Sequence, residues 1–284
     1  MAYDKAYCNQ QYNARAMVPD HGRFIERWTA GSRATRLAEP CFLDIAYGSE
    51  SGQAIDMFPA QRPRTGGSPL LVFLHGGYWR SLDKSDFSYI APAFTRAGAA
   101  VAVVNYRLVP TVALEDLVRD VLAAVTWCYL HAGQYGADPQ HIHVAGHSAG
   151  GHLSAMMLAC EWPRWHGALP PNVIKGALAI SGLYDLEPIM HASFLNDDLG
   201  LDPDRVARLS PAWMRPATHA PLITAVGGAE SDEFKRQNAL IADKWRTVFR
   251  RDVPAPGHHH FSICDALTDS DSALHRAALE LLGI

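Results

Sequence analysis

Five short apolar runs recur along this chain, and their spacing limits the architectures open to it. They read PLLVFLHGG (69–77), AAVAVVNYRL (99–108), HIHVAG (141–146), IKGALAIS (174–181) and PLITAVGG (221–228). Rich in Val, Ile and Leu and separated by longer amphipathic stretches, they read as the strands of a mostly parallel sheet covered by helices. Between them, LEDLVRDVLAAVTWCYLHA (114–132), GGHLSAMMLAC (150–160), DEFKRQNALIADKWRTV (232–248) and DSALHRAALELL (271–282) place apolar residues at helical spacing. The predicted class is α/β, with an open, mostly parallel, doubly wound sheet flanked by helices. No repeat or linker divides residues 1–284, and AQRPRTGGSP (60–69) reads as a surface loop. Two segments stand outside the alternation, the first ~40 residues and 186–220, and both are expected to cap the carboxyl edge of the sheet, where such folds bind ligands.

Charge and cysteine usage narrow the partners. With 25 Lys and Arg against 29 Asp and Glu, a net charge of -4 and no basic run, the chain lacks the electrostatic footprint of a nucleic-acid or anionic-membrane protein. MAYDKAYCNQQYNARAMVPDHGR (1–23) has no basic segment followed by an apolar core, and no later stretch approaches the ~20 apolar residues of a membrane helix. Five scattered cysteines, with no CxxC pair, suggest reduced thiols rather than a disulfide framework or zinc site. The expectation is a cytoplasmic protein acting on a small molecule, with no metal, no cofactor, no nucleic-acid or membrane partner, and a homodimer permitted.

Chemistry enters at HVAGHSAGGHLSA (143–155), where a strand ends at Gly146 and a helix begins within two residues. So sharp a turn leaves no room for ordinary side chains beside Ser148, and glycine relieves the crowding. Ser148 is left at the apex on a strained backbone, its hydroxyl beside the positive start of a helix, which is the geometry of a nucleophile elbow. A second glycine motif, His75-Gly76-Gly77-Tyr78-Trp79, follows an apolar strand directly. Such a loop can turn backbone N–H groups toward the oxyanion that forms when a hydroxyl attacks a carbonyl, each donor contributing ~2.7 to 4 kcal/mol. The expected donors are the amides of Gly77, Tyr78 and Ala149, with His75 as a scaffold residue.

A serine needs a base, and the base needs an orienting carboxylate. Three consecutive imidazoles, His258, His259 and His260, precede the last helix. His260 is the preferred base because Phe261 can anchor it, with His259 next and His258 and His259 expected at the solvent edge. Three acids compete: Glu230, two residues past a strand end; Asp232, which also suits the first turn of a helix capped by Ser231; and Asp185, ranked third.

Taken together, HGGYW, GHSAGGH, VGGAESDEFKRQ and HHFSI resemble the arylformamidase (kynurenine formamidase) branch of the α/β-hydrolases and its esterase relatives of the hormone-sensitive-lipase type. The early YNARAMVPDH (12–21) is similar too. The resemblance implies an α/β-hydrolase fold, an oxyanion hole in the HGGxW loop, attack by Ser148, and a base preceding Phe. It also implies an acid where the family usually has Asp in a segment like DSPEFxRQ. Aligned through EFKRQ, that position is Glu230, one methylene longer. The implied reaction is hydrolysis of a formyl or short-acyl amide or ester through an acyl-enzyme, foremost N-formylkynurenine; alternatives are a broad carboxylesterase and a non-catalytic binding protein. Tyr78, Trp79, His147, Phe194 and Trp213 are the expected pocket residues.

Overall fold

The computed structural model describes residues 3–284; Met1 and Ala2, the first positions of the expected cap-like segment, lie outside the described residues. Eight strands are present: β1 (Phe42–Ala46), β2 (Ala54–Phe58), β3 (Ser68–Leu74), β4 (Ala100–Val104), β5 (Ala137–His147), β6 (Ile174–Ile180), β7 (Leu222–Gly227) and β8 (Phe249–Ala255). They form one sheet in the order β1-β2-β4-β3-β5-β6-β7-β8. From β4 to β8 every neighbouring pair is parallel, while β2 runs antiparallel to both β1 and β4. The chain therefore has the α/β-hydrolase fold its motifs imply.

The five apolar runs form the strands β3 to β7. Along β3 every residue is buried: Leu70, Val72 and Leu74 join the core on one face of the sheet, Leu71 and Phe73 that on the other. With each such side chain contributing about 1.5–3 kcal/mol on burial, the two-sided pattern fixes these strands in the centre.

β1, β2 and β8 lie outside the expected strands, each for a physical reason. β8, FRRDVPA, is an edge strand carrying three charges and Pro254, which needs no ladder donor on an open edge. The opposite edge, β1, is mostly exposed. β2 buries Asp56 at its centre, where an apolar residue would signal a strand; Lys84 Nζ neutralises that carboxylate at 2.7 Å. A buried pair of this kind breaks the hydropathy pattern without breaking the sheet.

The predicted helices appear as Leu114–His131, Ala149–Ala159, Asp232–Lys244 and Ala273–Leu282, the third ending early because the chain turns toward β8. Ser231 caps the third as its sequence suggested, accepting from Phe234 N at 3.4 Å. The two segments outside the alternation are helical. Lys5–Gln11, Ala14–Met17 and His21–Ala38 make up the first; Glu187–His191, Ser193–Leu199 and Pro203–Leu209 the second. Tyr12 Oη ties the first to helix Asp232–Lys244 by donating to Glu233 Oε2 at 2.6 Å, and Asn9 Nδ2 reaches Ser193 Oγ of the second at 3.3 Å. Among the described residues no helix is long and apolar enough to cross a membrane.

Two buried imidazoles make this packing sensitive to acid. Burial pushes His152 and His143 down to about 4, helped at His143 by the nearby positive charges of His141 and Lys175. An unfolded histidine titrates near 6.5. Each group's folded value is depressed, so its stabilisation is complete above about pH 6.5 and is lost as pH falls toward 4, where the unfolded chain takes up protons that the fold refuses. The urea midpoint should therefore fall from pH 7 to pH 5, and His143→Leu should make the fall shallower. A midpoint unchanged over that interval would contradict this assignment.

Candidate active site

β5 ends at His147 and the helix Ala149–Ala159 begins two residues later, leaving Ser148 alone at the corner with φ 57° and ψ -117°. A non-glycine residue held there costs about 1–3 kcal/mol, which the surrounding bonds must offset. Ser148 N donates to Ile180 O of β6 at 2.8 Å, and Ser148 O accepts from His152 N at 3.1 Å. The corner closes only because its flanks lack side chains. A Cβ on Gly146 would strike the carbonyl of Gly150, and one on Gly150 would strike that of Leu74 on β3. Backbone, which cannot swing aside, is what each would meet.

The loop after β3 lies against this corner: a Cβ on Gly76 would sit 3.0 Å from His147 O and 3.2 Å from Ser148 Cβ. Gly77, Tyr78 and Trp79 then take positive φ in succession, at 109°, 50° and 59°. This left-handed run departs from strand geometry directly over the serine, and Gly77, Tyr78 and Ser148 line one cleft. The loop is anchored from several sides. Tyr78 Oη donates to Tyr12 O at 2.5 Å, and Trp79 O accepts from Val109 N at 2.9 Å. His75 lies wholly buried, its Nδ1 donating to Gly76 O at 2.8 Å and its ring stacked on Tyr106 at 4.2 Å. It serves the loop's shape and is not part of the cleft wall.

Opposite the serine, the β7 and β8 loops meet, joined where Ala229 N donates to His258 O at 3.0 Å. Glu230 is fixed by two donors to Oε1, Gly227 N at 2.7 Å and Ser181 Oγ at 2.6 Å. Its Oε2 accepts from His260 Nδ1 at 2.7 Å. With the proton on Nδ1, Nε2 carries a lone pair, as a general base requires. His260 and Ser148 line the same cleft. Among the described residues no hydrogen bond yet joins them, and contacts of this kind commonly tighten only when substrate fills the site.

The other candidates fall elsewhere. Asp232 is the first residue of its helix, its side chain 86% exposed and 3.9 Å from Lys235 Nζ. Asp185 is buried in a separate network, accepting from Trp213 Nε1 at 3.3 Å with Arg236 Nη2 3.5 Å away. His258 and His259 are partly exposed at the solvent edge, whereas His260 is buried. The Nδ1 of His259 accepts from the amides of Phe261 and Ser262 at 3.2 Å each, so it holds the turn that presents His260.

Two expected pocket residues require correction. Trp79 is fully buried and absent from the cleft wall: its positive φ turns the indole inward, where Nε1 donates to His152 Nδ1 at 3.3 Å. Trp213 is 55% exposed and absent from the cleft wall, with Lys244 Nζ 4.7 Å from its ring. Tyr78, His147 and Phe194 do line the cleft. His147 has a buried Nε2 without a hydrogen-bond partner, and burial, then the neighbouring His260, hold the ring well below its usual range.

Sequence reasoning missed four contributors. His152 links the His75–Trp79 loop to the segment 186–220 by donating from Nε2 to Leu209 O at 2.8 Å while accepting from Trp79. Ser181, at the end of β6 with φ 50°, braces Glu230. Tyr12 and Trp28 bring the first segment into the cleft wall. YNARAM was visible as a motif, but nothing in its spacing says which strand end it covers. Among the described residues no group of three or more His, Cys, Asp or Glu side chains is arranged to hold a metal ion.

Comparison with known proteins accords with this geometry. A family model described as BD-FAE matches residues 55–162, the span holding both glycine motifs. The kynurenine formamidase of Salmo salar is 31% identical over 97% of this chain and 92% of its own length. A solved thioesterase candidate from Silicibacter sp. TM1040 is 31% identical, with TM-score 0.83 over 97% of this chain and 98% of its own. Esterase B of Lactobacillus rhamnosis shares the fold at TM-score 0.71 and 20% identity, covering 95% of this chain and 94% of its own.

The acid is testable directly. Glu230→Gln keeps the side-chain size but removes the charge facing His260, and should lower kcat on p-nitrophenyl acetate by about a hundredfold or more. Asp232→Asn should stay within about twofold of the parent, as an exposed charge change would. A larger loss from Asp232→Asn would reverse the two roles.

Proposed function

This chain belongs to the α/β-hydrolase family that includes the kynurenine formamidases, and on that premise we propose that it hydrolyses small acyl amides and esters, foremost the formyl group of N-formylkynurenine. The observation that carries the proposal is the Glu230–His260 pair at 2.7 Å, opening onto the cleft that also holds the strained Ser148. In this reading residues 1–284 act as one catalytic domain, with 1–40 and 186–220 as its roof.

His260 Nε2 takes the proton of the Ser148 hydroxyl as its oxygen attacks the formyl carbon. Negative charge gathers on the carbonyl oxygen and is received by the amides of Gly77, Tyr78 and Ala149. Glu230 stabilises the imidazolium and keeps the ring's orientation without accepting its proton. The tetrahedral intermediate collapses, the C–N bond breaks, and His260 returns its proton to the departing arylamine. Water, deprotonated by the same imidazole, then attacks the formyl-enzyme and releases formate and free Ser148. An ester follows the same course with an alcohol as the leaving group.

Ser148→Ala should lower turnover by at least about a thousandfold while leaving the thermal midpoint near the parent's or above it, since it removes the attacking atom. On one preparation, kcat/KM for N-formylkynurenine should equal or exceed that for p-nitrophenyl acetate. Formamide turnover far below ester turnover would reject the formamidase reading in favour of a carboxylesterase, and full activity in Ser148→Ala would reject the nucleophile.

A further inference from the structure

The chain carries a net charge of -4, yet two arginines and no carboxylate line its cleft. These are Arg15 and Arg80, and His147 and His260 line it with them. Glu230 lies behind His260, its charge taken by that ring, Ser181 and Gly227. Attack on a neutral substrate would use His260 and leave Arg15 without a role.

The two arginines differ in what they are free to do. Arg80 is committed: its Nη1 donates to Asp198 Oδ2 at 2.5 Å and to Phe194 O at 2.7 Å, which ties the oxyanion loop to the second cap segment. Arg15 is exposed at the cleft, and its one hydrogen bond is a 3.5 Å approach to Ser81 Oγ. Among the described residues no carboxylate pairs with it. Its backbone, by contrast, is held. Asn13 caps the short helix Ala14–Met17 by accepting from Ala16 N at 3.1 Å, and Tyr12 O receives the Tyr78 hydroxyl at 2.5 Å. An uncommitted guanidinium is thus mounted on a segment bonded to the oxyanion loop itself.

Building on the formamidase reading, we propose that Arg15 binds a carboxylate on the leaving group of the substrate, so that the cleft selects aryl formamides or esters bearing an anionic side chain. The aromatic walls Trp28, Tyr78, Phe194 and Phe261 suit the aryl part. The planar fork of Arg15 matches a carboxylate through two parallel N–H donors. Water access at the cleft mouth limits the gain relative to a buried pair and makes it sensitive to salt.

The test uses matched substrates differing only in that charge: a formanilide with a carboxyethyl side chain and its carboxamide, and the same pair as aryl acetates. Wild-type kcat/KM should favour the carboxylate member of each pair by roughly tenfold, and the preference should shrink in ~0.5 M salt. Arg15→Gln should abolish it by lowering only the carboxylate member, leaving the carboxamide within about twofold, and Arg15→Lys should keep part of it. Equal losses on both members of a pair, or a wild-type enzyme indifferent to the carboxylate, would overturn the proposal. Loss of both formanilides as substrates, with discrimination intact on the acetates, would overturn the formamidase reading and leave the role of Arg15 standing.

Discussion

At the corner between β5 and its helix, backbone touches backbone without side chains between, and the rest of the site is arranged around that approach. Gly146 faces the Gly150 carbonyl, and Gly150 faces that of Leu74 in the neighbouring strand. Because the corner closes so tightly, Ser148 is driven to φ 57° and cannot relax into strand or helix. The strain persists because the partners that fix it belong to the sheet: Ser148 N bonds β6, whose central position follows from its own apolar sequence. The geometry of Ser148, the proposed nucleophile, is thus a consequence of packing in the core.

The remaining parts reach the serine through loops at the same sheet edge, and each is tied to at least one other. Trp79 and His152 join the His75–Trp79 loop to the helix that follows Ser148; Leu209 adds the segment 186–220. Tyr12 bonds both the oxyanion loop and helix Asp232–Lys244, through Tyr78 and Glu233. These links are neutral or singly charged hydrogen bonds in buried surroundings, where leaving a partner unmatched costs about 1–3 kcal/mol. The two helical segments held this way are positioned by the loops they pack against.

How much of this the sequence disclosed depends on whether a residue's role is local. The five central strands were legible because burial on both faces leaves mostly apolar runs, and Ser148 because a glycine-flanked turn between strand and helix has few other uses. Glu230 was reachable from its place three residues past β7. β2 and β8 were not, since buried Asp56 is neutralised by a lysine distant in sequence and β8 is an edge that tolerates Arg and Pro. Trp79 was misplaced because adjacency to the oxyanion loop does not say which way a left-handed residue points. Arg15 and His152 act across the fold, and their partners are fixed only by tertiary structure.

The account stands on a hydroxyl at 148 activated by an imidazole at 260. Exposing the protein to a p-nitrophenyl phosphonate and mapping the adduct by mass spectrometry tests that pairing without any assumption about substrate. One phosphonyl group per chain should appear on Ser148, and the labelling rate should collapse in His260→Ala. Modification of a different residue, or rapid labelling of Ser148 that is indifferent to the loss of His260, would contradict it.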